Sequence, residues 1–387
     1  MIRPINIGLS PNLEADDVQL ALKVLLGGED ETARQLLVEW FENYFPGFET
    51  IAFNSGRSAE WAIIKALGLK GEDEVLIQEF TCVAVSNSVR WAGAKTIDVA
   101  IDPRTFNMDP VDLERKIGPR SRAVIVQHTF GHAADLEKIK AMCDRRGLVV
   151  IEDCAHALGA SYKGQKVGTW GKAAFFSLGR DKVVSSVFGG VAITNDAKLA
   201  EKLRKIEQDL LENSWGWVTQ QLLHPALTWL FFPFYNLGLG KLGLWGAQRL
   251  GLLSKAVYEV EKRGGRPECF PAKYAPRLAR LGVHQLQKLE RFNKHRQEIA
   301  QIYFEKLAET ELGLPPRSEG DVYLRFTVTH PQARELYLRA KLERGWVLGD
   351  WYKSKYQVLN LPTYPSFSAE QARELCSQLK VWLKSEK

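Results

Sequence analysis

The sequence predicts an α/β protein: a large domain built on a mostly parallel, doubly wound sheet, followed by a smaller α+β domain. Three observations carry this. Between Thr50 and Asn195 short apolar runs alternate with helix-length segments, and such alternation gives a parallel sheet covered on both faces. The runs IAFN, EVLIQ, KTIDV, RAVIVQ, LVVIED, AAFFSL and GVAIT are short and continuously apolar, as buried strands are. Towards the end the pattern becomes VYLRFTVTH, a helix through Gln332–Arg344, WVLGDWY and a last helix after Ser368.

Between the strands, helices are expected over Ala59–Leu67 and Leu136–Arg145, the latter opened by Asp135, a favoured N-cap residue. The chain divides into a large domain over 1–212, an apolar insertion over 213–256 and a small domain over 257–387. Within the insertion, the 28 residues from Asn213 to Gly240 hold no Lys, Arg, Asp or Glu. That length could span a bilayer, but Pro225, Pro233, Gln220, Gln221 and repeated glycines are expected to break it into short helices. The next stretch is basic: ten Lys and Arg against Glu268 and Glu290 between Lys262 and Arg296.

Composition narrows the function. With 45% hydrophobic and 25% charged residues the chain is an ordinary globular protein. A net charge of +6 suits anionic ligands, yet no basic arm marks a nucleic-acid partner. Cys82, Cys143, Cys154, Cys269 and Cys376 are odd in number and contain no CxxC pair, so neither a disulfide framework nor a metal site is expected. The N-terminal run lacks the apolar stretch of a signal peptide, and a cytoplasmic setting fits best.

Three features fall at strand ends, where ligands bind in such sheets. In NSGRSAEW, Ser55, Gly56, Arg57 and Ser58 open a helix whose first N–H groups can receive a phosphate; a plain turn with Gly56 at positive φ is the simpler alternative. In VVIEDCAHALG, Glu152 and Asp153 end a very apolar strand, where a carboxylate needs a cation or serves as a helix cap. In AAFFSLGRDKVVSSVFGG, a strand delivers Ser177 and then Lys182, and the pair Gly189 and Gly190 suggests a backbone turning tightly beneath a ligand. A lysine that forms an imine, a carboxylate that pairs with a pyridinium nitrogen and a helix terminus that holds a phosphate are the parts pyridoxal 5'-phosphate (PLP) requires.

These runs resemble the DegT/DnrJ/EryC1/StrS family of sugar aminotransferases, from about Ile5 to the C-terminus. The family pattern SGTxAL-x-LALxALG-x-GDEV is similar to SGRSAEWAIIKALGLKGEDEV, ExDAAQAxG to EDCAHALG, ykGrxvGs to YKGQKVGTWG and FSFxxxKxLxxGEGGaxxT to FSLGRDKVVSSVFGGVAIT. VLNLPTYPSFSAEQ resembles vlsLPxhPxlxxee. The resemblance implies fold type I and PLP, with Lys182 as the imine lysine and general base, Asp153 at the pyridine nitrogen and His156 near the ring. It places Ser177 and the Ser55–Gly56–Arg57–Ser58 turn at the phosphate. It also implies an amino-acid donor, glutamate, a keto-sugar acceptor and a homodimer, in nucleotide-sugar, polysaccharide or natural-product biosynthesis.

Departures from the pattern are specific. Cys82 stands where an aromatic residue stacks on the cofactor. Arg57 replaces a threonine and is expected to add a cation near the phosphate. Val187 and Phe188 replace Gly-Glu in GEGG. NxRM is only loosely matched by PAKYAPR, with Lys273 at the arginine position. The segment around WYKSKY is short where substrate loops lie. Elimination or dehydration is an alternative outcome, but the family's sugar dehydratases have histidine in place of the lysine. A non-catalytic regulatory protein with this fold would have no need of the Asp153–Lys182 pair. For 213–253 two readings stand: burial against a dimer partner or over the site, and peripheral contact with anionic lipid, an apolar Trp215, Trp217, Trp229, Phe231, Phe232 and Trp245 surface backed by the basic stretch.

Overall fold

A computed structural model describes residues 4–27, 32–352 and 356–384. Seven strands form the main sheet: β1 (Glu49–Phe53), β2 (Glu74–Gln78), β3 (Lys95–Val99), β4 (Ser121–Gln127), β5 (Val149–Asp153), β8 (Ala173–Ser177) and β9 (Gly190–Thr194), with the short hairpin β6 (Ser161–Tyr162) and β7 (Gln165–Lys166) lying between β5 and β8 in sequence. Their order is β1-β9-β8-β5-β4-β2-β3. The pairs from β3 through β8 are parallel, and β9 runs antiparallel to both neighbours. All seven expected runs are strands of this sheet, and it is mostly parallel. The expected helices appear as Gly56–Ala66 and Leu136–Arg146, the second capped by the Asp135 carboxylate on the Lys138 N–H.

Helices cover both faces and create two cores. One joins Leu76, Val124, Val126 and Phe176 to the helices Thr32–Tyr44 and Pro276–Leu286. The other packs Ala59, Ile63, Val89 and Leu203 on Ile125, Ile151 and Ala192. The small unit has its own core, drawn from Ile5 and from residues between Ile299 and Trp382 around the hairpin of β10 (Phe326–Thr329) and β11 (Val358–Leu361). Residues 270–292 belong to the large core.

Two expectations about the apolar and basic stretches change. Pro225 does not break the first helix, which runs through it from Trp215 to Phe231. One missing backbone donor is outweighed by the buried side of that helix, Val218, Leu222 and His224. A 3₁₀ turn over Phe232–Phe234 and a helix over Leu239–Arg249 follow, and among the described residues no helix is long and apolar enough to cross a membrane. The basic stretch, in turn, does not form one positive face. Arg296 is fully buried, and Lys288 and Arg291 pair with Glu14, Asp16 and Asp17 at the start of the first helix.

Candidate active site

The two carboxylates ending β5 separate by strand alternation, because adjacent side chains leave a strand on opposite faces. Glu152 is fully buried and saturated: it accepts the N–H groups of Gly168, Trp170 and Gly171, each at 2.7 Å, and faces His128 Nε2 at 3.1 Å. It clamps the turn after β7 and is not free for chemistry. Among the described residues Asp153 accepts only the Ala155 N–H, at 3.0 Å. Burial pushes its carboxyl pKa above the ordinary value, opposed by the Ala155 bond and by the Lys182 and His128 charges. A buried carboxyl with so little compensation is suited to a cationic N–H donor.

Lys182 follows β8 on a loop whose backbone is pinned from several directions. Its carbonyl accepts Asn12 Nδ2 at 2.5 Å, and the Val183 carbonyl accepts Asn12 Nδ2 at 3.0 Å and Arg296 Nη2 at 2.7 Å. The amine reaches His156, with Nζ 2.9 Å from Nε2. Burial first, then the Lys182 and Arg325 charges, holds the His156 pKa well below its ordinary value, so the ring is neutral. The Phe130 N–H points to Nδ1 at 3.3 Å, and Nε2 faces the lysine amine. Phe130 is held at φ 54 to do so, and its ring lies parallel to the imidazole, centroids 5.6 Å apart.

The turn after β1 is knit by its own hydroxyls. Ser55 Oγ accepts the Ser58 N–H at 3.2 Å and lies 2.8 Å from Ser58 Oγ, which donates to Asn54 Oδ1 at 2.7 Å. The first N–H groups of the helix, at Gly56 and Arg57, are thus the donors available to an anion. Gly56 is not there for positive φ. A Cβ on it would lie 2.9 Å from Ser177 Cβ, so its absence brings the helix terminus against the end of β8. The pair Gly189–Gly190 likewise serves packing and not a ligand: a Cβ on Gly190 would lie 2.1 Å from Ser55 C and O, and one on Gly189 2.2 Å from Tyr274 Oη. Val187, at a glycine of the family pattern, sits at φ 71, a strained conformation for a β-branched residue.

Arg57 departs from its expected role. Its guanidinium bonds the buried Glu261 carboxylate and the Ala256 carbonyl and stacks on Phe270, 4.6 Å from the ring centre. Its charge is neutralised by Glu261, just beyond the insertion. The insertion also holds the lysine loop, since Gln221 Oε1 and the Ser254 carbonyl accept from the buried Arg180 at 3.1 and 2.5 Å. Cys82 is half-buried and precedes the helix Val83–Ala92 at the carboxyl end of β2.

Several site residues escaped the sequence reading. Arg325, on the small domain, bonds Asp181 Oδ2 at 2.7 Å and stacks on Trp351, 3.7 Å from the ring centre. Asp181 is the immediate neighbour of Lys182. Tyr352 packs parallel to Phe130 and shares its surroundings with Cys82, Arg325, Asp153 and Asp181. Glu60, one turn into the helix Gly56–Ala66, is buried, and its carboxyl pKa is raised well above the ordinary value by burial and then by Asp153. Nothing in the apolar or charge pattern distinguished these residues from ordinary helix and strand positions. Lys353–Lys355 of WYKSKY lie outside the described residues.

The residues present fit PLP. The close approach at Gly56 sets helix N–H donors beside Ser177, the under-compensated Asp153 suits a pyridinium, and the Lys182 amine lies on the same side of the sheet end.

Comparison with known proteins agrees. The sequence profile of the DegT/DnrJ/EryC1/StrS aminotransferase family matches residues 28–221 and 275–346. GDP-perosamine synthase of Caulobacter vibrioides is 35% identical over 50% of this chain and 53% of its own length, so the match spans about half of that relative. GDP-perosamine synthase of Escherichia coli O157:H7 is 27% identical over 88% of this chain and 89% of its own. The crystal structure of NtdA from Bacillus subtilis with bound cofactor PMP superposes with a TM-score of 0.77 at 20% identity, covering 99% of this chain and 86% of that one, a likeness of fold.

Proposed function

Because this chain belongs to the DegT/DnrJ/EryC1/StrS aminotransferase family, whose cofactor is PLP, we propose that it moves an amino group from an amino acid, glutamate, to the keto group of a nucleotide-linked or similar sugar. The observation that carries the reading is the juxtaposition of the Lys182 amine, 2.9 Å from the neutral His156, with the buried Asp153 at the neighbouring strand end. Two relatives named GDP-perosamine synthase support a sugar acceptor.

When bound, PLP supplies an electron-withdrawing ring that takes up the amino group and passes it on. The chain's part is positioning and proton transfer. Asp153 would hold the proton of the ring nitrogen in a buried setting, and Gly56, Arg57 and Ser177 would bind the phosphate through helix N–H groups and a hydroxyl. The Lys182 amine is the general base, and the contact with His156 Nε2 fixes its direction. Lys182 is a better fit to transamination than to the dehydration that histidine serves at this position. We propose a homodimer with Lys273 near the partner's phosphate, consistent with two-fold assembly.

The test is the Lys182→Ala variant. Purified wild type should show a visible absorption band that borohydride fixes as a label on Lys182, and glutamate or glutamine should convert the band in a half-reaction. The variant should lose label and turnover and keep the wild-type circular dichroism. Transamination retained by the variant ends the assignment. Keto-sugar nucleotides and lipid-linked keto-sugars, assayed side by side, identify the acceptor.

A further inference from the structure

Residues 222–274 interrupt the match to the family profile, and they include most of the apolar stretch. Its inward side is part of the protein. Val218, Leu222, His224 and Thr228 are buried, and Trp217 packs on Phe188, ring centres 5.4 Å apart, just beyond the lysine loop. Its outward side is unusual. Of the nineteen large hydrophobic side chains exposed among the described residues, ten lie between Leu211 and Leu252, about a tenth of the chain.

The helix Leu239–Arg249 shows how this arises. Gly240, Leu244 and Ala247 face inward at helical spacing. The opposite arc carries Leu239, Leu242 and Trp245, 64%, 62% and 56% exposed, and Leu250 beyond it is 76% exposed. The helix is therefore apolar on both sides, and only one side has a protein partner among the described residues. The end of the preceding helix adds Leu230, and the connection after it adds Leu237. Trp229, Phe231 and Phe232 are only partly exposed, and Phe231 packs in the cluster of Leu244 and Leu253, so these three are not the tip of the surface.

Charge chooses the occupant. From Asn213 to Tyr258 the formal charges are Lys241, Arg249 and Lys255, with no Asp or Glu. Lys255 pairs with Glu259, whereas Lys241 and Arg249 are exposed, have no carboxylate partner among the described residues and stack on aromatic rings, Tyr235 at 5.0 Å and Trp245 at 5.1 Å. A second copy meeting this face about a two-fold axis would bring the patch against itself, cation to cation, with no carboxylate in the segment to relieve it. An anionic lipid surface complements it: leucine and tryptophan enter the interface, and the two cations lie at headgroup level. We propose that the Leu230–Leu250 surface docks this protein on anionic bilayers as a monotopic attachment. The later basic stretch is not part of this surface: its Lys288 and Arg291 pair with Glu14, Asp16 and Asp17, and its Arg296 is buried.

The experiment is flotation of the full chain with vesicles of phosphatidylcholine alone or with about 30 mol % phosphatidylglycerol, at about 50 mM and about 500 mM salt. Wild type should float with the anionic vesicles at low salt, and the bound fraction should fall at high salt and on neutral vesicles. Leu242→Ser/Trp245→Ser/Leu250→Ser should lower it at least about tenfold, and Lys241→Gln/Arg249→Gln should remove the preference for anionic lipid. All five side chains point outward, so melting temperature and PLP content should not change. Wild type that stays with the buffer at low salt overturns the proposal. So does a triple variant whose oligomeric state drops in sedimentation, which would assign the face to a second copy.

Discussion

Glu60 stands at the leucine of the SGTxAL pattern, and its carboxyl Oε1 has no partner among the described residues. Burial, then Asp153 and Cys82, raises its pKa well above 4.5, against a smaller opposing pull from Ser88 and Arg57. A carboxyl raised in the folded state contributes stability that is fully present below its unfolded value and is lost as pH rises through the folded one. Glu60→Gln keeps the shape and removes the ionisation. The melting temperature of the cofactor-free wild type should therefore fall relative to that of the variant as pH is raised from about 5 to about 9; parallel curves would show that Glu60 is solvated. Asp153 illustrates the same physics turned to use, since burial raises its pKa and a cation arriving beside it would favour its proton-poor form. Asp153→Asn should leave PLP bound, by its absorbance, and slow turnover by about 100-fold or more, because a neutral amide cannot stabilise the ring proton. A near-normal rate would mean that another carboxylate does this.

At the scale of elements, the joint between β9 and the turn after β1 decides whether the proposed phosphate end of the site can form. A Cβ at Gly190 would overlap Ser55 C and O and the Gly56 N, all rigid backbone. Gly190→Ala should therefore lower stability by about 3 kcal/mol or more and weaken PLP binding, read by thermal melting and by cofactor titration. A melting temperature within a degree or two of wild type would mean that the joint yields. This contact was not legible in the sequence. The glycine pair read as room for a ligand, because a requirement for no side chain looks the same whether the neighbour is a cofactor or a strand. Strand positions were legible, since buried strands in a covered sheet must be continuously apolar, as VLI and VIV are. The direction of β9 was not: GVAIT is equally apolar either way, and only the absence of a crossover helix between Ser177 and Gly190 hinted at it. That Lys182, Asp153 and His156 come together was legible, because motif order and spacing tied them together. Arg57 was read as a free cation because its partner, Glu261, is 204 residues away.

In the whole molecule the two domains meet across the lysine. The N-terminal segment runs from Ile5 in the small core to Asn12 on the Lys182 carbonyl, and Gly131 and Ser161 exchange backbone bonds with Val322 and Gly320. Arg325 and Asp181 form the charged part of this junction, with side chains 3% and 27% exposed. Burial alone would raise the Asp181 pKa, but the Lys182 and Arg325 charges outweigh it and hold the carboxyl below 3.8. A depressed carboxyl contributes stability that is present above its unfolded value and is lost as pH falls through the folded one. Arg325→Leu removes the largest partner on the small domain and leaves Asp181 beside Lys182. Breaking a fully buried pair costs roughly 3–5 kcal/mol, and the partial exposure of Asp181 should reduce this to about 2 kcal/mol. The variant should melt lower at neutral pH, differ less from wild type as pH falls below about 4, and exchange amide hydrogens faster over 178–186 than wild type. Arg325→Lys should restore part of the stability and not all of it, because an ammonium pairs with Asp181 but does not stack on Trp351 as a planar guanidinium does. Unchanged exchange in Arg325→Leu would place the closure of the lysine loop with Asn12 and Arg296, and not with the small domain.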